Sequence, residues 1–291
     1  MRDSSMSMTG EHSRVVSHPG GGGPAATLRL LSYNIQTGIP TRRYREYVTG
    51  SWRHVLPFPR RLRNLDRMAD LIRGYDIVGL QEADAGSLRC ENVNLTEYLA
   101  RRAGFSHWED RTNRRIGRVA RHSLGVLSRL RPDRVRARAL PGAIPGRGAL
   151  EMVFGPHREG LLVVCVHLAL GRRTRSRQIE ALCEWLRGWR YAVIMGDFNC
   201  RSDSPELQRL RAEAGLQEPA GALHTYPSWR PARSIDHILV SAALPVTAAQ
   251  VLHAPLSDHL PIAMEISVPG DLRELLAWPS GPDLRAGAGR G

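Results

Sequence analysis

The sequence predicts a mixed α/β fold with antiparallel strand pairs, and three observations carry that expectation. Short apolar runs with strand character alternate with amphipathic helix-like segments from Leu28 almost to the end of the chain. The strand runs outnumber the helices, which argues against a doubly wound parallel sheet. At 291 residues, 42% hydrophobic and 24% charged, the chain can bury a core that needs neither disulfides nor metals to hold it, and it lies outside the disordered, collagen-like and coiled-coil classes.

The elements follow in order. Residues 1–26 are rich in Ser and Gly, end in Gly20 to Gly23 and Pro24, and lack periodicity, so a flexible tail is expected there. Leu28 to Ile35 is a continuous apolar strand. Arg60 to Ile72 sets Leu62, Leu65, Met68, Ala69 and Ile72 at helical spacing, and after the break at Gly74 a buried strand runs from Asp76 to Gln81. A helix is expected over Asn92 to Ala103, stopped by Gly104. Strands are expected at Ser123 to Ser128, Ala149 to Phe154 and Leu161 to His167. Ile179, Leu182, Cys183 and Leu186 mark a helix over about Ser176 to Gly188, followed by a strand from Tyr191 to Gly196. Pro205 opens a short helix to Ala214. Ile235 to Val240, Val246 to Leu252 and Ile262 to Val268 complete the strands, and Asp271 to Ala277 reads as a last helical turn. One domain over 27–268 is expected, with 269–291 as a C-terminal tail, and no repeat of solenoid or propeller period is visible.

The 41 basic residues outnumber the 28 acidic ones, for a formal charge of +13, which favours polyanionic partners or an anionic membrane surface. Every one of the 41 is arginine, a bias that a GC-rich genome produces without selection for binding. The absence of lysine excludes Schiff-base chemistry, a Walker A lysine and a kinase-type lysine, each of which needs an ε-amino group. Cys90, Cys165, Cys183 and Cys200 are widely spaced and form no CxxC pair, so free thiols are expected. No apolar core of signal-peptide type occurs before Thr27, and the longest apolar run, Leu161 to Leu170, is far short of a membrane span; the cytoplasm is the expected location.

Metal-competent and polar residues recur where the apolar strands end: Asn34, Glu82, His167, Asp197 with Asn199, Asp236 with His237, and Asp258 with His259. A single His or Asp in such a place is more often a core histidine, turn residue or helix cap. The recurrence is what points to chemistry, because strand ends of one sheet meet along one rim.

The strings that carry these residues are Ser32-Tyr33-Asn34-Ile35, Gly79-Leu80-Gln81-Glu82, Val166-His167-Leu168, Gly196-Asp197-Phe198-Asn199, Ile235-Asp236-His237-Ile238 and Ser257-Asp258-His259-Leu260-Pro261, and the string His122-Ser123-Leu124-Gly125-Val126-Leu127-Ser128 stands between the second and third of them. In this order they resemble the endonuclease/exonuclease/phosphatase superfamily of metal-dependent phosphoesterases over about Leu28 to Val268. The resemblance implies a four-layer α/β sandwich, two packed mixed sheets flanked by helices, with the active site at one end of the sheets. Glu82 and Asp258 are hard oxygen donors suited to Mg²⁺ or Mn²⁺, and Asn34 could orient Glu82 or a water on the metal. By analogy with the family, Asp197 orients or deprotonates the attacking water and Asn199 positions it or the phosphate. His259 with Asp236 makes an acid/base or phosphate-stabilising dyad, and His167 adds a donor to the phosphate oxygens.

Gln36 stands where the similar apurinic endonucleases carry an acid, which weakens a DNA-repair reading. Tyr226-Pro227-Ser228-Trp229 is similar to a stretch of inositol-polyphosphate phosphatases and sphingomyelinase-like enzymes, and is equally explained by a Trp packing under the Asp236 strand. Twelve arginines between Arg101 and Arg138 face only Glu109, Asp110 and Asp133, and are expected to form a solvated surface. Arg172, Arg173, Arg175 and Arg177 crowd a helix start, where the dipole disfavours positive charge; a substrate phosphate, or a salt bridge to an acid such as Glu180, would offset that. The resulting expectation is a Mg²⁺- or Mn²⁺-dependent phosphoesterase of nuclease-like type acting on phosphodiesters by in-line water attack. Its alternatives are a phosphoinositide phosphatase or sphingomyelinase-like phospholipid hydrolase, and an inactive module that binds anions.

Overall fold

The computed structural model describes residues 26–41, 60–142, 147–219 and 223–276, so most of the expected N-terminal tail and the end of the chain lie outside the described residues. Two six-stranded mixed sheets pack face to face with helices on their outer faces. The first contains β1 (Thr27–Asn34), β2 (Ile77–Asp84), β3 (His107–Ile116), β4 (Ala120–Ser128), β11 (Val246–Val251) and β12 (Ile262–Ser267), in the order β11-β12-β1-β2-β4-β3. The second contains β5 (Arg134–Ala139), β6 (Gly148–Phe154), β7 (Leu161–His167), β8 (Tyr191–Asp197), β9 (Leu216–Gln217) and β10 (Asp236–Ser241), in the order β5-β6-β7-β8-β10-β9.

Each sheet has one parallel pair at its centre, β1 with β2 and β7 with β8, and antiparallel pairs elsewhere. Each parallel pair is joined by a helix, since parallel neighbours need a crossover. These are α1 (Arg60–Ile72) and α3 (Arg172–Leu186); α2 (Leu95–Ala103), α4 (Pro205–Ala214) and α5 (Gly270–Leu275) complete the set. The core divides accordingly. Leu30, Ile77, Val126, Met152, Val163, Val193 and Met264 fill the space between the sheets. Leu65, Met68, Ile72, Leu95 and Leu99 seat α1 and α2 on the first sheet, while Ile179, Leu182, Leu207 and Leu210 seat α3 and α4 on the second.

Local chemistry sets the helix ends. Asn94 caps α2 by accepting from the Thr96 and Glu97 amides at 3.0 and 3.2 Å, and Gly104 closes it in the left-handed conformation. Ser204 caps α4 ahead of Pro205. The folded body runs past residue 268: α5 buries Leu272 in the inter-sheet core, and Asp271 accepts from the Tyr191 hydroxyl at 2.8 Å. All four cysteines are buried and free, and burial pushes the Cys165 thiol up to about 12. Among the described residues no helix is long and apolar enough to cross a membrane.

Candidate active site

Both parallel pairs end at the same rim, and register brings their last residues together. His167 ends β7 opposite Asp197 at the end of β8, and Asp197 is opposite Asp236 at the start of antiparallel β10. Three chemically active side chains thus share one row. Asn34, ending β1 in the other sheet, reaches across and donates from Nδ2 to Asp197 Oδ2 at 3.2 Å. Glu82 sits in β2 at a bulge, where the pairing with β4 shifts register between Leu80 and Ala83 and the Glu82 backbone turns to φ 54°. A bulge re-aims a side chain, and here the left-handed residue is the one whose carboxylate faces His167.

The turn after β8 explains Asn199. The Asn199 amide donates to Asp197 Oδ1 at 2.9 Å and its Nδ2 donates to the Leu168 carbonyl at 3.0 Å, while its backbone takes φ 52°, a conformation Asn tolerates. Asn199 therefore fixes Asp197 and ties the two strand ends together. Gly196 is required for another reason: a Cβ there would lie 1.9 Å from the Val166 carbonyl oxygen.

His259 Nδ1 lies 2.8 Å from Asp236 Oδ2, and Thr225 Oγ1 donates to the same oxygen. Burial opposes the imidazolium, but Asp236, with Asp197 and Asp258 adding to it, holds the His259 pKa up at about 10. Burial alone would also raise the Asp197 pKa, yet the hydrogen bond and charge of His167 and the charge of His259 pull it well below the ordinary carboxylate range. Glu82 is lowered for related reasons, with burial outweighed by His167 and His259. His167 Nε2 is 3.3 Å from Asp197 Oδ2 and 3.9 Å from Glu82 Oε1.

Among the described residues, two groups of side chains bring ligand atoms within 4.8 Å of one another: Glu82, His167 and Asp197, and Asp197, Asp236 and His259. In the second group His259 and Asp236 are already bonded to each other. The first keeps Glu82 open to solvent at 36% side-chain exposure, and two carboxylates with one imidazole suit Mg²⁺ or Mn²⁺. Asp258, expected beside Glu82, falls outside both groups; its Oδ1 accepts from Ser257 Oγ at 3.2 Å. Burial raises the Asp258 pKa to about 7, with the negative charge of Glu82 adding to the rise. Carboxylates that burden one another in this way are arranged as they would be around a cation, so the residues present fit a divalent ion.

Several expected placements change. His237 faces away from the rim, its Nδ1 2.6 Å from Glu218 and its Nε2 2.8 Å from the Cys200 carbonyl, because strand alternation puts it on the opposite face from Asp236. Arg175 is no phosphate contact: its guanidinium is buried, 2.8 Å from Glu206 and bonded to the Ala169 and Leu170 carbonyls. Arg172 also faces Glu206, at 3.7 Å, whereas Arg173 and Arg177 are exposed. The anion that offsets the helix dipole is thus Glu206 itself. Gln36 turns to Thr41, whose hydroxyl donates to its Oε1 at 2.8 Å. Tyr226 lies against the His259 ring at 4.8 Å between centroids, and the Ser228 amide donates to the Asp258 carbonyl at 2.7 Å, so this stretch braces the His259 loop.

Sequence reasoning missed Asn113, Arg114 and Arg147 of the cleft, and gave no role to His122 and Ser123 although they open one of the family-like strings. All five line the cleft together with Glu82 and His167. Arg147 directly precedes β6, whose first residue pairs with His167, and its guanidinium abuts His167 Nε2. Burial and Arg89 depress the His122 pKa to about 4, so its ring is neutral at physiological pH.

A family model described as Endonuclease/Exonuclease/phosphatase family matches residues 31–259. Among solved structures, an endonuclease/exonuclease/phosphatase family protein from Bacteroides thetaiotaomicron is 16% identical, with a TM-score of 0.63 over 84% of this chain and 98% of that one. A protein of the same description from Beutenbergia cavernae is 21% identical, with a TM-score of 0.62 over 84% of this chain and 72% of the other. A mannosyl-6-phosphatase of Bacteroides thetaiotaomicron is 17% identical, with a TM-score of 0.57 over 82% and 99%. At these identities the likeness is one of fold. No curated protein matches the chain.

Proposed function

The chain belongs to the Endonuclease/Exonuclease/phosphatase family, and from that premise we propose that it is a divalent-metal-dependent phosphoesterase that cleaves phosphodiester bonds by in-line attack of water. The observation that carries the proposal is the convergence of Glu82, His167 and Asp197 beside the buried Asp236–His259 pair. Glu82 and Asp197 would hold the ion, with His167 beside them and Asp258 adding negative charge. A divalent cation there supplies Lewis-acid neutralisation of the charge that builds on the phosphate.

The side chains divide the remaining work. Asp197 is ionised far below neutral pH, so it is a weak base but a fixed acceptor, held by Asn34 and the Asn199 amide; its role is to orient the attacking water. His259, cationic at neutral pH and locked by Asp236, donates to a phosphate oxygen as its negative charge grows. Arg147 adds a second positive group at the same rim.

Nucleic acids and phospholipids both present the scissile bond. The Arg172–Arg177 cluster lends the nucleic-acid reading little support, because Glu206 takes up Arg175 and lies near Arg172. Hydrolysis of bis(p-nitrophenyl) phosphate with and without Mg²⁺ or Mn²⁺ tests the reaction class. Turnover that requires the ion, and falls on the order of 10²-fold or more in Asp197→Asn, is expected. Full activity after exhaustive EDTA treatment would refute the metal role, and wild-type kcat in Asp197→Asn would refute the role of that carboxylate.

A further inference from the structure

The surplus of positive charge is not spread evenly over the molecule. Arg29 pairs with Glu265, Arg89 with Asp84, Arg138 with Glu151, Arg190 with Asp271 and Arg209 with Glu213. Other arginines, among them Arg136, Arg173 and Arg233, also have no ion pair among the described residues, but the hairpin formed by β3 and β4 gathers five in one place. Arg111, Arg114, Arg115, Arg118 and Arg121 all lie on it, and among the described residues none of these side chains makes an ion pair or a hydrogen bond. Arg115 is directly opposite Arg121 in the ladder, a like-charge pair that destabilises a hairpin unless an anion lies over it.

The end of the same hairpin is apolar. Ile116 and Val119 flank its turn at 45% and 36% exposure, and Leu88 joins them at 45%, tied to the turn by the hydrogen bond its backbone N–H donates to the Arg118 carbonyl. The centre of the turn is Gly117-Arg118, so Ile116 and Val119 sit on either side of it, and Leu88, from the segment after β2, lies beside them. The hairpin also forms a wall of the catalytic cleft, through Asn113, Arg114 and His122.

We propose that the β3–β4 hairpin docks the protein on an anionic lipid bilayer, its aliphatic tip entering the interface and its arginines lying among the phosphates. Charge complementarity selects the anionic surface, and the tip selects lipid over nucleic acid. A single-strand track needs aromatic rings on which bases stack, interleaved with its arginines. The hairpin's exposed ring, Trp108, lies at the far end of β3 from the turn, and no Phe, Tyr or Trp is interleaved with Arg111 to Arg121; aliphatic side chains gain instead from the headgroup boundary of a membrane. Docked in this way, the cleft faces the phosphodiesters of the headgroup layer. This deepens the phosphoesterase reading and rests on it for the substrate, but the docking needs no catalysis.

The test is flotation of the full chain, in EDTA, with vesicles of phosphatidylcholine alone or of phosphatidylcholine and phosphatidylglycerol in equal parts. Wild type should float with the mixed vesicles only. Arg115→Gln with Arg118→Gln should lower that partition about 30-fold, the combined effect of two basic side chains at an anionic surface. Ile116→Ser with Val119→Ser should lower it about 10-fold or more. Both doubles should keep wild-type turnover of bis(p-nitrophenyl) phosphate, which reports an intact fold and site. Hairpin variants that float as wild type does would overturn the proposal. So would variants that lose oligonucleotide binding while keeping vesicle binding, which would assign the hairpin to nucleic acid. Vesicle binding that depends on the hairpin, in a protein that hydrolyses no phosphodiester, would leave the docking standing and overturn the reaction alone.

Discussion

The Asp236–His259 pair makes the stability of this protein depend on pH in a way that one substitution should remove. His259 is buried and its pKa stands at about 10, against about 6.5 for an unfolded histidine. Below the unfolded value both states carry the proton, and the stabilisation from the pair is fully present. Between the two values the folded protein holds one proton more than the unfolded chain, so stability falls as pH rises, by about 1.4 kcal/mol per pH unit. From about pH 7.5 to about pH 9 the loss amounts to about 2 kcal/mol. Asp236→Asn keeps the shape and removes the charge that raises the pKa, so this share of the slope should vanish. Urea unfolding of both proteins at the two pH values, in EDTA, measures it as a difference in which groups common to both cancel. Equal pH dependence in wild type and Asp236→Asn would refute the assignment of a cationic His259 held by Asp236.

Two further substitutions test the architecture around the site. Arg175→Gln leaves Glu206 without its buried partner and should cost about 3 kcal/mol, several degrees of Tm, with KM for the phosphodiester unchanged; a raised KM at unaltered Tm would return Arg175 to the substrate. Gly196→Ala places a methyl 1.9 Å from the backbone of β7, which cannot yield without separating two central strands; destabilisation above about 4 kcal/mol is expected in chemical denaturation, and a wild-type midpoint would refute the close approach.

What the sequence made legible follows from where apolar pattern and chemistry coincide. Arg60–Ile72 has the bounds its periodicity predicts, because its buried face is apolar and repeats at helical spacing. The helix expected from Ser176 begins at Arg172, since arginines are good helix formers that leave no trace in apolar periodicity. β3 and β5 escaped notice because their exposed arginines mask any alternation, and with β3 went Asn113 and Arg114 of the cleft. Asn34, His167, Asp197 and Asp236 were legible because each adjoins an apolar run that fixes its place at a strand end. His237 was placed with Asp236 at the rim although period two sets the two on opposite faces, so its orientation was a signal present in the sequence and not used. The neutralisation of Arg175 was not legible, because Glu206 lies on another helix, 31 residues away in the chain.

The symmetry of the two sheets suggests how the chemistry is divided. Their strand orders are equivalent, each with one helix-linked parallel pair whose strands end at the shared rim. The first sheet brings Asn34 and Glu82 to that rim, and of these Glu82 is the carboxylate open to the cleft. The second brings His167, Asp197 and Asp236, and through Asp236 it holds His259. Asp197 serves both the ion and the water, so the cleaner contrast is between the open carboxylate of Glu82 and the held imidazole of His259, whose substitutions should fail differently. Glu82→Gln should shift half-maximal activation to a metal concentration on the order of tenfold higher, because one charged ligand is lost, while much of kcat returns at saturating metal. His259→Gln should lower kcat on the order of 10²-fold at every metal concentration, because in the proposed reaction the imidazolium meets the phosphate and not the ion. Titration of Mn²⁺ against activity for both variants separates the two roles. A His259→Gln deficit that saturating Mn²⁺ restores would place the imidazole in the metal shell and undo this division.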